Sequence, residues 1–239
     1  MRRLAALAFA AVALSACSGE QGERAQQLLT GAQTAQGKLH SATFQARIAF
    51  AMDGQRFSLV IDGGGYLKGP RAGDAVFSMH TEGVPGGGRF DLQAVARRGR
   101  VSMSMNGQRF TLPATSASTG QAQALDWSGT VLDVARYVKN VRVREGRVVN
   151  GERGATIAGV IDTKKLLQAI SKLDTFARAA KIDDFGGKVG DIHAAVFVGE
   201  RSGLIRSAVV TMSIEAEDKK ADLELTYRLT STNRAVAGL

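Results

Sequence analysis

Hydrophobic positions change period twice along this chain, and the changes mark its elements. Over residues 23–39 the apolar side chains Ala25, Leu28, Leu29, Ala32, Ala35 and Leu39 recur every three or four positions, which predicts one amphipathic helix with a narrow stripe. From Thr43 the period drops to two. Phe44, Ala46, Ile48 and Phe50 alternate with more polar neighbours, and Asp53-Gly54 offers hairpin-turn chemistry before Phe57, Leu59 and Ile61. Ala75, Phe77 and Met79 predict a further strand face. So do Phe90, Leu92 and Ala94, then Val101, Met103 and Met105, and Asn106-Gly107 turns the chain into Phe110 and Leu112. Successive strands with one apolar face each describe an antiparallel meander with one wet side.

Residues 113–124 are rich in Ala, Ser, Thr, Gly and Gln and read as a loop. Val131, Val134, Ala135 and Val138 share a helical face, giving a second helix over 130–138. A strand pair over 141–149 and 155–161 brackets Asn150-Gly151. Asp162 then caps a longer helix to about 180, with Leu166, Leu167, Ile170, Leu173 and Ala177 on one side. Strands over 192–198, 204–216 and 222–230 end the chain. About ten strands need cover for their apolar faces and only three modest helices supply it. The expected fold is therefore α+β: a single large curved antiparallel sheet, a half-barrel, with helices on its concave face.

The first residues carry a different message. Arg2 and Arg3 precede a short apolar run over 4–14, and Leu14, Ser15, Ala16 and Cys17 form a lipobox. Small residues admit a signal peptidase, and the Cys17 thiol is the site of diacylglyceryl and acyl attachment. Residues 1–16 are thus expected to be a cleaved lipoprotein signal peptide, 17–22 a lipidated tether and 23–239 a single domain of lipid-binding type. Apart from that covalent modification at Cys17 no cofactor is expected. Cys17 is the only cysteine of the 239 residues, so no disulfide and no second thiol enter. Two or three acyl chains hold a protein durably, since each buried methylene adds about 0.8 kcal/mol. The formal charge of +9 suits a position beside anionic headgroups better than it suits nucleic acid outside the cell. Small basic groups occur at Arg97, Arg98 and Arg100, at Arg142, Arg144 and Arg147, and at Lys164 and Lys165; they read as solvated faces or as a headgroup site.

Small and adaptable side chains give the expected inner wall its texture: Ala46, Ala94 and Ala158 are small, and Met79, Met103 and Met105 tolerate varied neighbours. The candidate lining comprises Ile48, Leu59, Met79, Leu92, Met103 and Met105 from the sheet, with Val134, Leu167 and Ile170 from the helices. Alternation alone leaves two readings open, a hollow concavity or one filled by side chains.

These features together resemble the LppX/LprG-type bacterial lipoproteins, which have a LolA/LolB-like fold. The resemblance is carried by the lipobox, the first helix leading into Ala42-Thr43-Phe44, and the hairpin around Gly107. It extends to the strand holding Ala158-Gly159-Val160-Ile161-Asp162, and to Phe197-Val198-Gly199 turning at Ser202-Gly203-Leu204. It implies a membrane-anchored carrier that binds acylated lipid or lipoglycan in an apolar cavity. The implied setting is the extracytoplasmic face of a cell membrane, or an outer membrane in an envelope that sorts lipoproteins. An envelope transporter is a candidate partner. The runs Gly63-Gly64-Gly65 and Gly86-Gly87-Gly88 depart from the family pattern and read as flexible loops.

Catalytic chemistry finds little support. His40, His80 and His193 have no metal-ligand spacing, and neither a nucleophile elbow nor a phosphate loop is present; Gly186-Gly187-Lys188 lacks the spacing and the hydroxyl. Asp183 and Asp184 read as the end of a connection, and Trp127 as a core or entrance residue. No enzyme is expected. The competing function is a surface-anchored scaffold lipoprotein with a filled core and protein partners.

Overall fold

The computed structural model describes residues 19–112, 138–162 and 188–239, apart from Asp53, Gly99 and residues 217–218. Helix α1 spans Glu20–Gln36. The strands are β1 (Ser41–Met52), β2 (Gln55–Tyr66), β3 (Ala75–Glu82), β4 (Asp91–Arg97), β5 (Arg100–Met105) and β6 (Gln108–Leu112). After them come β7 (Val138–Val149), β8 (Glu152–Ile161), β9 (Lys188–Val189), β10 (Ile192–Gly199), β11 (Ile205–Ala216) and β12 (Lys219–Thr232). Eleven of them form one open sheet in the order β6-β5-β4-β3-β2-β1-β12-β11-β10-β8-β7, and the two-residue β9 pairs with the end of β11. Every pairing is antiparallel. The expected curved sheet is present, with slightly more strands than the alternation predicted.

Two expected hairpins form for the reason the sequence offers. Asn106 and Gly107 have φ of 47° and 85°, and Asn150 and Gly151 have 52° and 74°, the left-handed pair a tight two-residue turn requires. The glycine runs behave otherwise. Gly63, Gly64 and Gly65 are not a loop but the last part of β2, opposite Phe44, Thr43 and Ala42 of β1. A Cβ on Gly63 would lie 2.6 Å from the Phe44 ring, and one on Gly64 would lie 2.6 Å from Thr43 Cγ2. Absent side chains are what let the Phe44 ring lie over β2 and stack on Tyr227 with centroids 6.0 Å apart. Gly86 and Gly87 do turn the chain, within a short 3₁₀ segment (Pro85–Gly87).

Three further expectations need correction. The first helix begins at Glu20, three residues before the expected start at Glu23, and Gly22 is buried in its first turns. Val138 does not end a helix; it opens β7 opposite Ile161, where a β-branched side chain packs with Ile161, Ile192 and Ala194. Ala158 is not on the inner wall. Ile157 takes that position, opposite Val143 and Val196, so the two-residue period turns Ala158 outward beside Arg142 and Ala195.

Helix α1 lies on the inner face of the sheet near β7 and β10. Ala25 and Ala32 pack with Ile157, Val196, Ala208, Tyr227 and Leu229 in the main core. Polar contacts fix its first turns: the Val143 N–H donates to Gln21 Oε1 at 2.8 Å, and Arg24 meets Glu145 at 2.9 Å. The strand β7 they hold is an edge of the sheet, and its exposed Arg142 and Arg144 discourage pairing with another chain.

Candidate functional site: the inner face of the sheet

Residues directly opposite in an antiparallel pair share a face, so register alone traces the inner wall. One row runs Met105, Leu92, Met79, Ile61, Ala46, Tyr227, Ala208, Val196, Ile157 and Val143 from β5 to β7. A second row runs Phe110, Met103, Ala94, Phe77, Gly63 and Phe44. A third joins Leu225, Ile48 and Leu59. All six sheet residues expected to line a cavity therefore lie together on one face.

Burial changes along these rows. Ala46, Ile61, Tyr227, Ala208, Val196 and Ile157 are buried, whereas Ile48, Leu59, Met79, Leu92 and Met103 are half-buried. Met105 and Phe110 are 41% and 46% exposed. Among the described residues the first row is therefore closed from Ile61 to Ile157, and its continuation through Met79, Leu92 and Met105 is progressively more exposed. Sequence reasoning missed Phe77 and Phe110 as wall residues, although both stood on predicted apolar faces. Val134, Leu167 and Ile170 lie outside the described residues, as do Cys17, Trp127, Asp183 and Asp184.

The outer face of β1 to β3 carries polar contacts around the buried Val60. Gln45 bonds Asp62 at 3.0 Å, Thr43 and Thr230 share a 2.7 Å hydrogen bond, and Arg47 reaches both Ser58 (2.9 Å) and Glu82 (3.1 Å). His80 lies 3.5 Å from Glu82 on this face, away from the apolar wall. Among the described residues no group of His, Cys, Asp and Glu could hold a metal ion.

Where the strands begin and end around α1, charged groups serve the fold. Asp74 is buried between the β2–β3 and β4–β5 connections. The Arg98 N–H donates to its Oδ1 at 2.9 Å and Arg71 Nε sits 3.3 Å from its Oδ2. These contacts hold the carboxyl below the ordinary carboxylate range, the Arg98 N–H contributing most, against the opposing effect of burial. Arg97 donates to the Gly238 carbonyl oxygen at 2.7 Å. That basic group fastens the C-terminal residues to the sheet. Glu152 is buried 3.2 Å from Arg206 Nε and accepts the Ser202 N–H at 2.7 Å, tying the β8 start to the β10–β11 turn. A cleft of about 400 Å³ between α1 and these turns is bordered by Arg24, Glu145, Arg153 and Glu200, and by none of the expected lining residues.

One open antiparallel sheet with a face of apolar side chains and a helix packed on that face is the fold class the alternation predicted, and solved structures share it. Among solved structures the chain is similar to LprF from Mycobacterium bovis, with 15% identity and a TM-score of 0.51 over 90% of this chain and 95% of that one. The Mycobacterium tuberculosis lipoprotein LppX also matches, at 14% identity and a TM-score of 0.48, over 90% of this chain and 97% of that one. The resemblance read from the sequence therefore holds at the level of fold. No family model and no curated protein matches the sequence.

Proposed function

We propose that this chain is a membrane-anchored lipoprotein that binds acylated lipid or lipoglycan against its inner sheet face and carries it within the cell envelope. The observation that supports this reading is the burial gradient along a single apolar row, from Ala46 fully covered to Met105 open. Met79, Leu92 and Met105 continue the apolar row of the core beyond what the described residues cover, which leaves apolar surface available to a ligand. Each Å² of acyl chain removed from water there contributes roughly 25 cal/mol. Methionines at Met79, Met103 and Met105 suit chains of varied length and shape, since their side chains adapt without a fixed geometry.

The domain works as one unit after its leader, attached through acylated Cys17, with the membrane surface and its lipids as partners. It uses no covalent chemistry of its own. Exchange between bilayer and a dry surface needs only reversible burial, and no described residue cluster is arranged for acid–base or nucleophilic work. Among the described residues no helix is long and apolar enough to cross a membrane.

Native mass spectrometry of the protein taken from its own membrane tests the proposal. The expected spectrum shows the acylated chain with co-bound lipid. A uniform lipid-free mass under gentle conditions would overturn the carrier reading in favour of a scaffold with a filled core.

A further inference from the structure

The buried side of α1 is formed by Gly22, Ala25, Ala32 and Gln36. Helical spacing brings these residues under one another, so Gln36 continues toward the sheet the stripe that Ala25 and Ala32 begin. Its neighbours along this stripe are apolar. Ala32 and Leu39, four residues before it and three after, pack in one cluster with Phe44, Ala46 and Ile61, and Phe77 and Met79 border the same cluster. Gln36 therefore lies on the side of α1 that packs on the inner face of the sheet, between two members of the main core.

Gln36 is only 8% exposed, and among the described residues neither its Oε1 nor its Nε2 has a hydrogen-bond partner. A primary amide in such a place has given up its bonds to water and received none in return, an arrangement folded proteins rarely tolerate without a use for it. Leucine or methionine would fill the same volume and satisfy the stripe better. What the amide adds is an NH2 group with two donor hydrogens beside a carbonyl acceptor, on the buried side of the helix.

We propose that Gln36 is the polar anchor of the lipid site: Nε2–H donates to an ester carbonyl oxygen of the bound acyl lipid, and Oε1 accepts from a neighbouring hydroxyl. This assignment rests on the carrier reading above and adds a ligand class to it. A plain hydrocarbon offers nothing to either atom. An ionised fatty acid satisfies Nε2 but sets its negative charge against Oε1. A neutral hydroxy-ester, as in an acylglycerol, satisfies both. A site whose buried polar groups need partners discriminates strongly against ligands that leave them empty.

Binding of a pyrene-labelled monoacylglycerol and of 1-dodecylpyrene to the full chain, stripped of co-bound lipid, tests this for the wild type and for Gln36→Met and Gln36→Leu. Removing an unpaired buried amide relieves the free protein, so both variants are expected to fold, with melting temperatures raised by a few degrees. Their affinity for the monoacylglycerol is expected to fall about tenfold or more, while that for the alkyl probe stays within about twofold. Unchanged monoacylglycerol affinity in both variants, or equal losses for both probes, overturns the role of Gln36 and leaves the carrier reading standing. A wild type that binds neither probe overturns both together.

Discussion

Asp74 illustrates how a single side chain can do structural work that its residue type does not announce. Its carboxylate receives the Arg98 N–H and faces Arg71, whose guanidinium also stacks over Tyr66 at 4.2 Å. Because its folded pKa is lowered, the stability it supplies is complete above the ordinary carboxylate value and fades as pH falls through the lowered one. Asp74→Asn is therefore expected to melt at a lower temperature than the wild type near neutral pH. The two melting curves should converge in strong acid; a gap that persists there would show that charge is not what matters. None of this was legible in the sequence, since Asp74 and Arg98 meet only through the pairing of β3 with β4. Gly63 and Gly64 misled for a related reason. Glycine signals a break locally, whereas here it makes room for an aromatic ring arriving from the neighbouring strand.

Among the elements, the strands were the most legible and their ends the least. Alternation is a local property: each strand's side chains declare their face whatever lies beside it, so β1 to β6 and β10 to β12 fell close to expectation. Boundaries depend on contacts. Glu20 joins α1 because β7 offers Gln21 and Arg24 partners, and Val138 joins β7 because Ile161 lies opposite. The β8 start and the β10–β11 turn are held by Glu152, which is buried against Arg206 in an ionic contact and fixed by the Ser202 N–H. Arg206→Met leaves that carboxylate without its counter-charge. Denaturant unfolding of this variant is expected to show a loss of roughly 3–5 kcal/mol, as when one member of a buried pair is removed. A loss below about 1 kcal/mol would mean that the pair behaves as an exposed one.

At the scale of the whole molecule, one sheet performs two tasks on a single face. Its β12–β8 half is core, closed by α1, and its β2–β6 half presents apolar side chains that nothing described fully covers. If that half receives acyl chains, added bulk there should exclude ligand without unfolding the protein. Met103→Trp is expected to abolish saturable uptake of the pyrene-labelled monoacylglycerol, with a change in stability of no more than about 1–3 kcal/mol. Undiminished uptake by a folded Met103→Trp chain would place the ligand elsewhere.

By itself the sequence determined the period of nearly every described element, the hairpins at Asn106-Gly107 and Asn150-Gly151, and which residues in each strand could share an apolar face. These are properties of near neighbours, encoded within a few residues. Only the tertiary structure decided that β1 lies against β12, that β6 and β7 stand at opposite edges, and that Gln36 lies on the buried side of α1. Those outcomes depend on which distant faces bury one another, and a strand's alternation is satisfied equally well by any apolar partner.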